Sequence, residues 1–413
     1  MARSNIYVGL EIGTSKICVV VGEVRGDGSI KILGVGQAPS RGMRKGEISD
    51  IDQAQTCLHD AIIRTEDRSD VIISHIVLAV TGAHIESLNN TGRIRLPDDH
   101  NEITEEDLQE VKEISRAVTI PQDNVFLHSI IRHYTVDGNE HVRNPVGLLG
   151  RELEADFHII HGIRSRIQNT IRCVRDLSLT VDDVVFSPVA AAQVVLNREA
   201  REEGALLIDI GGGTADYVLY HEGVITASGC VAIGGDHISN DLSIVLKLPI
   251  NRAERLKIEE GEARLPEPPT GQTIHLEDDK GFAARDIARD LLNEVIYCRV
   301  EEMMKKIKAK ISRVVDPRQV ATGIYLTGGT SLLRGIDRVA SEVFEIPVRR
   351  PSTPPVSGLT SNFENPQFSC PIGLVRYAQI LDRDKPIRSG LVKLGRRFAE
   401  FLRSNRILSS FFS

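Results

Sequence analysis

Two carboxylates in matching surroundings are the residues best placed to do chemistry. Glu11 lies within Val8-Gly9-Leu10-Glu11-Ile12-Gly13-Thr14-Ser15-Lys16. Asp209, 198 positions later, lies within Leu207-Ile208-Asp209-Ile210-Gly211-Gly212-Gly213-Thr214-Ala215-Asp216. Each precedes a turn of Gly and Thr, and the chain is apolar again at residues 17–21 and 217–220. That pattern reads as strand, tight turn, strand. Glycines let backbone N–H groups approach closely enough to cradle a phosphate. Two such turns facing each other would grip a polyphosphate. Gly13, Thr14, Ser15 and Lys16 would act from one side, and Gly211, Gly212, Gly213 and Thr214 from the other. A carboxylate in a buried strand is costly unless paired or bound to a cation. Neighbouring phosphates repel one another until a cation neutralises them. Glu11 and Asp209 are therefore expected to hold magnesium or its water shell.

A third glycine turn, Gly323-Ile324-Tyr325-Leu326-Thr327-Gly328-Gly329-Thr330-Ser331-Leu332, reads as a buried strand running into Gly-Gly and then a helix. Such a start, with bare glycine backbone, suits a nucleotide's flat or anionic parts. Any one of the three turns fits an ordinary strand end. All three in this order point to a nucleotide cleft between two similar halves.

The elements that must position these turns are legible from periodicity. Strands are predicted at 6–11, 16–24, 30–37, 72–80, 125–135, 152–160 and 181–186, and helices at 51–65, 104–117 and 164–177. Thr104 is a good helix cap, with Asp107 three residues on. Asn89-Asn90-Thr91-Gly92 reads as a polar turn. Pro188 opens a small-residue helix over 188–196. The Pro-rich stretch 261–283 reads as an exposed loop or short hairpin, and 284–315 as one long amphipathic helix with Ile287, Leu291, Leu292, Val295 and Ile296 on its stripe. That stripe reads as core packing.

At 413 residues the chain has room for at least two domains, and 41% hydrophobic content is ordinary for a globular protein. Six scattered cysteines give no zinc or disulfide spacing and suit a reducing compartment. The first residues lead straight into a strand, so no secretory leader is expected. No apolar run approaches the ~20 residues of a spanning helix. Residues 386–413 carry six cations against Glu400 alone, a net of +5, leaving −12 for the rest of a chain whose total is −7. An acidic body argues against nucleic acid as a partner and marks the basic end as specialised.

The three turns, in this order, resemble the two phosphate motifs and the adenosine motif of the actin-like ATPase superfamily. Segments 188–196 and 371–378 are similar to its connecting helices. The stretch Ala253-Glu254-Arg255-Leu256-Lys257, followed by Gly261, resembles its nucleoside-binding segment. The resemblance implies ATP with Mg2+, nucleoside contacts from Glu254 and Lys257, and further turns at Gly234, Gly235, Gly328, Gly329 and Thr330. Within the superfamily the chain is most similar to the FtsA family. The carrying stretches are residues 7–17, Pro39-Ser40-Arg41-Gly42-Met43 within 34–46, Asn144-Pro145-Val146-Gly147-Leu148 within 144–150, 207–216, 325–332 and 370–377.

The implied architecture is α/β: two duplicated ribonuclease-H-like domains around a nucleotide cleft. The first domain would comprise 1–81, 164–203 and 370–382, with 82–163 as an inserted subdomain. The second would comprise 204–250 and 321–369, with 251–320 as a small subdomain; 383–389 would be a linker and 390–408 a membrane-targeting helix. The implied function is a cell-division protein that polymerises, tethers FtsZ through its C-terminal peptide on the small subdomain, and meets other division proteins through the insertion. The implied location is the cytoplasmic face of the cell membrane at the septum. One departure bears on mechanism. Relatives such as DnaK-type chaperones and MreB-type actins carry Glu before the proline that opens the first connecting helix, and this chain carries Ser187. Serine cannot serve as a carboxylate base, which contributes roughly 10²–10⁴-fold, so hydrolysis is expected to be slow.

The basic end has its own pattern. On a helical wheel Leu391, Leu394, Phe398, Phe401 and Leu402 share one face, with Lys393, Arg396, Arg397 and Arg403 opposite. That is the pattern of a helix lying in an anionic membrane surface; a helix docked on its own body is the alternative. Five large apolar groups at about 1.5–3 kcal/mol each, less the cost of ordering, support reversible attachment of one chain. A polymer presenting many tails would bind far more tightly. The rivals are a PilM-like pilus platform, which shares the fold, and a small-molecule kinase, for which no acceptor-side carboxylate stands out. A DnaK-type chaperone is disfavoured because no substrate domain follows.

Overall fold

The computed structural model describes residues 5–26, 28–97, 102–265, 268–278, 283–315, 320–349, 356–358 and 365–383. In chain order the elements begin with β1 (Ile6–Ile12), β2 (Lys16–Val24), β3 (Ile30–Pro39), β4 (Met43–Arg44), β5 (Glu47–Ile48), α1 (Ile51–Ser69) and β6 (His75–Val80). A separate unit follows: β7 (Glu86–Arg95), α2 (Glu105–Arg116), β8 (Asn124–Val136), β9 (Asn139–Val142) and β10 (Glu152–Ile163). The chain then returns through α3 (Arg164–Arg175), β11 (Thr180–Phe186), α4 (Ser187–Val195) and α5 (Arg198–Glu203). The second half has β12 (Ala205–Ile210), β13 (Ala215–His221), β14 (Val224–Val231), α6 (Gly235–Val245), α7 (Ile250–Glu259), β15 (Thr273–Leu276), β16 (Arg285–Ala288), α8 (Arg289–Ile311), β17 (Gly323–Thr327), α9 (Ile336–Phe344) and β18 (Val348–Arg349). The described elements close with β19 (Val356–Gly358) and α10 (Ser369–Arg383).

The two halves repeat one sheet. The first runs β11-β6-β1-β2-β3-β19 and the second β14-β13-β12-β17-β18. In each, an antiparallel three-strand meander is continued by two parallel strands beside its first strand, and in the first sheet β19 adds a parallel strand on the far edge as well. Parallel pairing needs crossovers, and helices supply them, so both faces are covered. β12 is buried along its whole length, with side chains alternating between two cores. Leu207 joins the core of the first half, while Leu206, Ile208 and Ile210 join that of the second. Helices α4 and α10 cross between the sheets. They touch backbone to backbone, since a Cβ on Gly373 would lie 2.0 Å from the Ala190 carbonyl oxygen. The small residues read from the sequence in 188–196 serve this close crossing.

The unit over β7–β10 forms its own sheet, ordered β7-β10-β8-β9, around a third core that includes Phe157, Leu153 and Val111. Its helix starts as predicted. The Thr104 side chain accepts from the Asp107 N–H at 3.2 Å, and the Asp107 carboxylate accepts from the Thr104 N–H at 2.9 Å.

Three local expectations are corrected. Asn89-Asn90-Thr91-Gly92 is the middle of strand β7, paired with Phe157, Asn90's partner, and its neighbours on β10. Its polar side chains meet partners across the strand, so polarity did not signal a turn. The long helix begins at Arg289; residues 285–288 form strand β16, where buried Ile287 pairs with Ile274. Leu291, placed on the stripe, is 39% exposed. Finally, Gly328-Gly329 leads into a single 3-10 turn, Gly329–Leu332, and the α-helix waits until Ile336. The residues of the basic end, 391–403, lie outside the described residues.

Candidate functional site

The two phosphate-type turns close identically. Gly13 N–H donates to the Lys16 carbonyl at 3.0 Å, and Gly211 N–H to the Thr214 carbonyl at 2.9 Å. They face each other across one cleft, lined by Glu11, Gly13–Lys16, Thr81, Ser187, Asp209, Gly211–Thr214, Asp216, Gly328, Pro366, Gln367 and Cys370. The approach is close enough to require glycine. A Cβ on Gly213 would lie 2.4 Å from Thr14 Oγ1, and one on Gly328, already at φ +83°, would lie 2.4 Å from Asp209 Oδ1.

The remaining predicted residues pack behind the second turn. Gly235 N–H and Thr330 Oγ1 donate to the Gly211 carbonyl at 3.0 and 2.9 Å. Lys257 Nζ donates to the Gly235 carbonyl at 3.1 Å and to Glu254 at 2.6 Å. Gly234 abuts the Gly212 carbonyl, while Gly329 faces open space. Lys16 is engaged by protein: its ammonium donates to the Gln367 carbonyl at 2.8 Å and to Gln367 Oε1 at 3.1 Å, and stands 4.6 Å from the Phe368 ring centre.

The electrostatics are those of buried carboxylates crowded together. Burial raises the Glu11 carboxyl above its ordinary range; Lys16 opposes this and Asp216 adds to it. Burial raises Asp209 well above its range, and the Glu11 and Asp216 charges push the same way. Burial lifts Asp216 to about 6, against hydrogen bonds that hold it down. Glu11 Oε2 is buried with no hydrogen-bond partner. Carboxylates converging with an orphaned oxygen fit a hard divalent cation that keeps several waters. Among the described residues, no group of three or more His, Cys, Asp or Glu stands at metal-holding spacing. An all-protein cage is thus not the arrangement seen.

Several lining residues were missed from the sequence. Thr81 Oγ1 donates to both Asp216 oxygens, at 2.7 and 2.6 Å. Asp216 stood within the second quoted segment, and its position seven residues after Asp209 was the available signal. Ser187, singled out for replacing a glutamate, lines the cleft and donates to the Val80 carbonyl at 3.1 Å. Thr81 and Gln367 carry no local pattern that marks them.

Comparison with known proteins adds the lineage. Residues 206–373 match the family described as "Cell division protein FtsA", and residues 82–161 the "SHS2 domain inserted in FTSA". The curated relatives include the cell division protein FtsA of Neisseria meningitidis, 34% identical over 94% of this chain and 93% of that protein. Those of Pseudomonas aeruginosa and Escherichia coli are 35% and 32% identical over 90% and 91% of this chain, and 89% and 90% of their own. Among solved structures, a PilM–PilN type IV pilus biogenesis complex superposes with TM-score 0.55 at 14% identity, covering 89% of this chain and 97% of that one. MreB 5 of Spiroplasma citri bound to AMPPNP gives 0.54 at 14%, covering 92% and 98%. At such identities the structures share the fold alone, and the fold is actin-like. The pilus platform is thus a neighbour in shape, while the sequence relatives are cell-division proteins.

Proposed function

This chain belongs to the FtsA family of cell-division proteins, and from that premise we propose that it is an ATP-regulated membrane tether for FtsZ. It is an actin-like cell-division protein. The observation that carries the nucleotide reading is the pair of glycine turns in contact across a cleft lined by buried carboxylates, one oxygen of which, Glu11 Oε2, has no hydrogen-bond partner. The two turns Gly13–Lys16 and Gly211–Thr214 receive the phosphates between them, with the Gly13 and Gly211 N–H groups closing the turns. Glu11 and Asp209 hold Mg2+ through its waters, and the ion supplies neutralisation of the phosphate charge. Glu254 and Lys257 hold the nucleoside, with Gly328, Gly329 and Thr330 forming its floor.

Ser187 supports slow turnover. Its hydroxyl is committed to a backbone carbonyl, and neither it nor Cys370 beside it is a carboxylate base. ATP then acts mainly as an assembly ligand. Turnover matching that of fast actin-fold ATPases would refute this.

We propose the domain boundaries expected from the sequence. The small subdomain over 251–320 receives the FtsZ C-terminal peptide, and 82–163 meets other division proteins. The chain polymerises through its actin-like body, and residues 390–408 attach it to anionic lipid. No described helix is long and apolar enough to cross a membrane. The test is co-sedimentation with anionic liposomes, with ATP and Mg2+, of the full chain and of one ending at Lys385. Pelleting of the full chain alone supports the tether; loss of pelleting by neither, or by both, refutes it.

A further inference from the structure

The unit over β7–β10 is inserted in the first half of the chain, yet its polar side chains hold the second. Strand β14 is an edge of the second sheet, and edges need covering. Ser87 Oγ donates to the Ser228 carbonyl at 2.7 Å, and Asn89 Nδ2 to the Thr226 carbonyl at 3.0 Å. His158, 1% exposed, sits 2.7 Å by Nδ1 from Asn89 Oδ1 and 2.8 Å by Nε2 from Ser228 Oγ. Each ring nitrogen thus has a partner, and the set spans two strands of the insertion and one of the second half. At the outer end His141 meets Glu222 at 2.9 Å, and Arg143 meets Glu202 at 3.2 Å.

The same unit is tied to the cleft where the chain passes into and out of it. Thr81, one residue past β6, donates to Asp216 of the second turn's hairpin. His84 Nδ1 accepts from Ile163 N–H at 3.2 Å, fastening the incoming and outgoing strands together. Against this hinge lies the β4–β5 hairpin. At its tip Gly46 N–H donates to Thr14 Oγ1 at 3.0 Å, and Lys45, held at φ 52°, packs on Gly213. Next to the tip Glu47 pairs with Arg166, just past the outgoing strand. One short hairpin therefore touches both phosphate turns and the hinge.

We propose that the inserted unit is a nucleotide-responsive clasp: it spans the cleft from the hinge to β14, so that opening or closing of the two halves moves it or breaks its latch. This rests on the reading that the cleft holds a nucleotide. Separation of the halves pulls β14, continuous through β13 with the second turn, away from a unit anchored in the first half. Either the Ser87, Asn89 and His158 bonds part, or the unit swings with the second half and its outer face turns.

Hydrogen exchange of the full chain tests this, with and without a non-hydrolysable ATP analogue and Mg2+, in wild type, Asn89→Ala and the milder Ser87→Ala. Without nucleotide, Asn89→Ala is expected to raise amide exchange in β7 and β14 at least about tenfold and Ser87→Ala about threefold, with β1 and α8 unchanged. In wild type the analogue is expected to slow exchange in β7 and β14 several-fold, an effect lost in Asn89→Ala although a fluorescent ATP analogue still binds it. Unchanged exchange in both variants without nucleotide overturns the clasp. So does a wild-type chain that binds the analogue with no response in β7 or β14. If wild type binds no nucleotide, the responsive part falls with the nucleotide reading, and the nucleotide-free arm still decides the latch.

Discussion

Asp209 concentrates the site's chemistry in one side chain. Its carboxyl is raised by burial and by Glu11 and Asp216. A raised carboxyl keeps its proton in the folded state at pH values where the unfolded chain has lost it. Stability therefore falls as pH rises from the ordinary carboxylate range through the raised value. Asp209→Asn removes one of the like charges. Without nucleotide its melting temperature is expected to rise by about 1–3 °C at pH 7.5, and by less at pH 4.5. The further rise that ATP and Mg2+ give to wild type is expected to disappear. Calorimetry at both pH values measures this, and an Asp209→Asn chain that keeps the ATP-dependent rise would exclude Asp209 from the cation site. Glu11 and Asp209 were legible because they are carboxylates in otherwise apolar runs. Thr81 and Gln367 were not, since a hydroxyl or an amide in a loop is ordinary until the fold brings it to a cleft.

Elements were legible where local energetics decide them. The capping box at α2 is local, and Thr104→Ala is expected to cost about 1 kcal/mol, read as a lower denaturant midpoint with an unchanged slope. No change in midpoint would show that α2 is held by packing alone. Elements settled by distant partners were misread. Strand β7 looks like a turn because Asn89 and Asn90 bond outside their own strand, Asn89 to Thr226 and Asn90 to Ser115. Its partner His158 gives a pH prediction. Burial lowers His158 to about 3, so the unfolded chain takes up a proton below about 6.5 that the folded chain refuses. The contribution is whole above about pH 7 and is lost as pH falls, by about 2 kcal/mol at pH 5. His158→Gln is expected to show a smaller stability loss between pH 7.5 and 5 than wild type. Equal losses would mean that His158 takes up its proton in the folded state. His128, lowered to about 4 by burial, acts in the same direction and remains in the variant.

For the whole molecule, the proposed tether would couple an acidic body to a basic end. On the proposed reading one tail would bury few apolar groups, so a lone chain would bind membrane reversibly and a filament would bind through many tails at once. Liposome binding is expected to rise steeply with protein concentration in ATP and Mg2+, and to fall as salt is raised. Sedimentation across a concentration series measures it. A simple hyperbola that persists when assembly is blocked would separate attachment from polymerisation.

The duplication, the three glycine turns, the paired carboxylates, most strands and helices, and the family are all readable from the order of residues. All of these are written in local residue types: glycine where backbone must come close, period-two and helical spacing where a face is buried, and stretches such as Pro39-Ser40-Arg41-Gly42-Met43. Only the tertiary structure decided that Lys16 is held by Gln367, that residues 285–288 pair as a strand, that the β4–β5 hairpin reaches both turns, and that the inserted unit is latched to β14. Those facts join residues from 9 to 351 positions apart. No local propensity records such pairings, because they gain their energy only once two cores have formed and brought the partners within a hydrogen bond of each other.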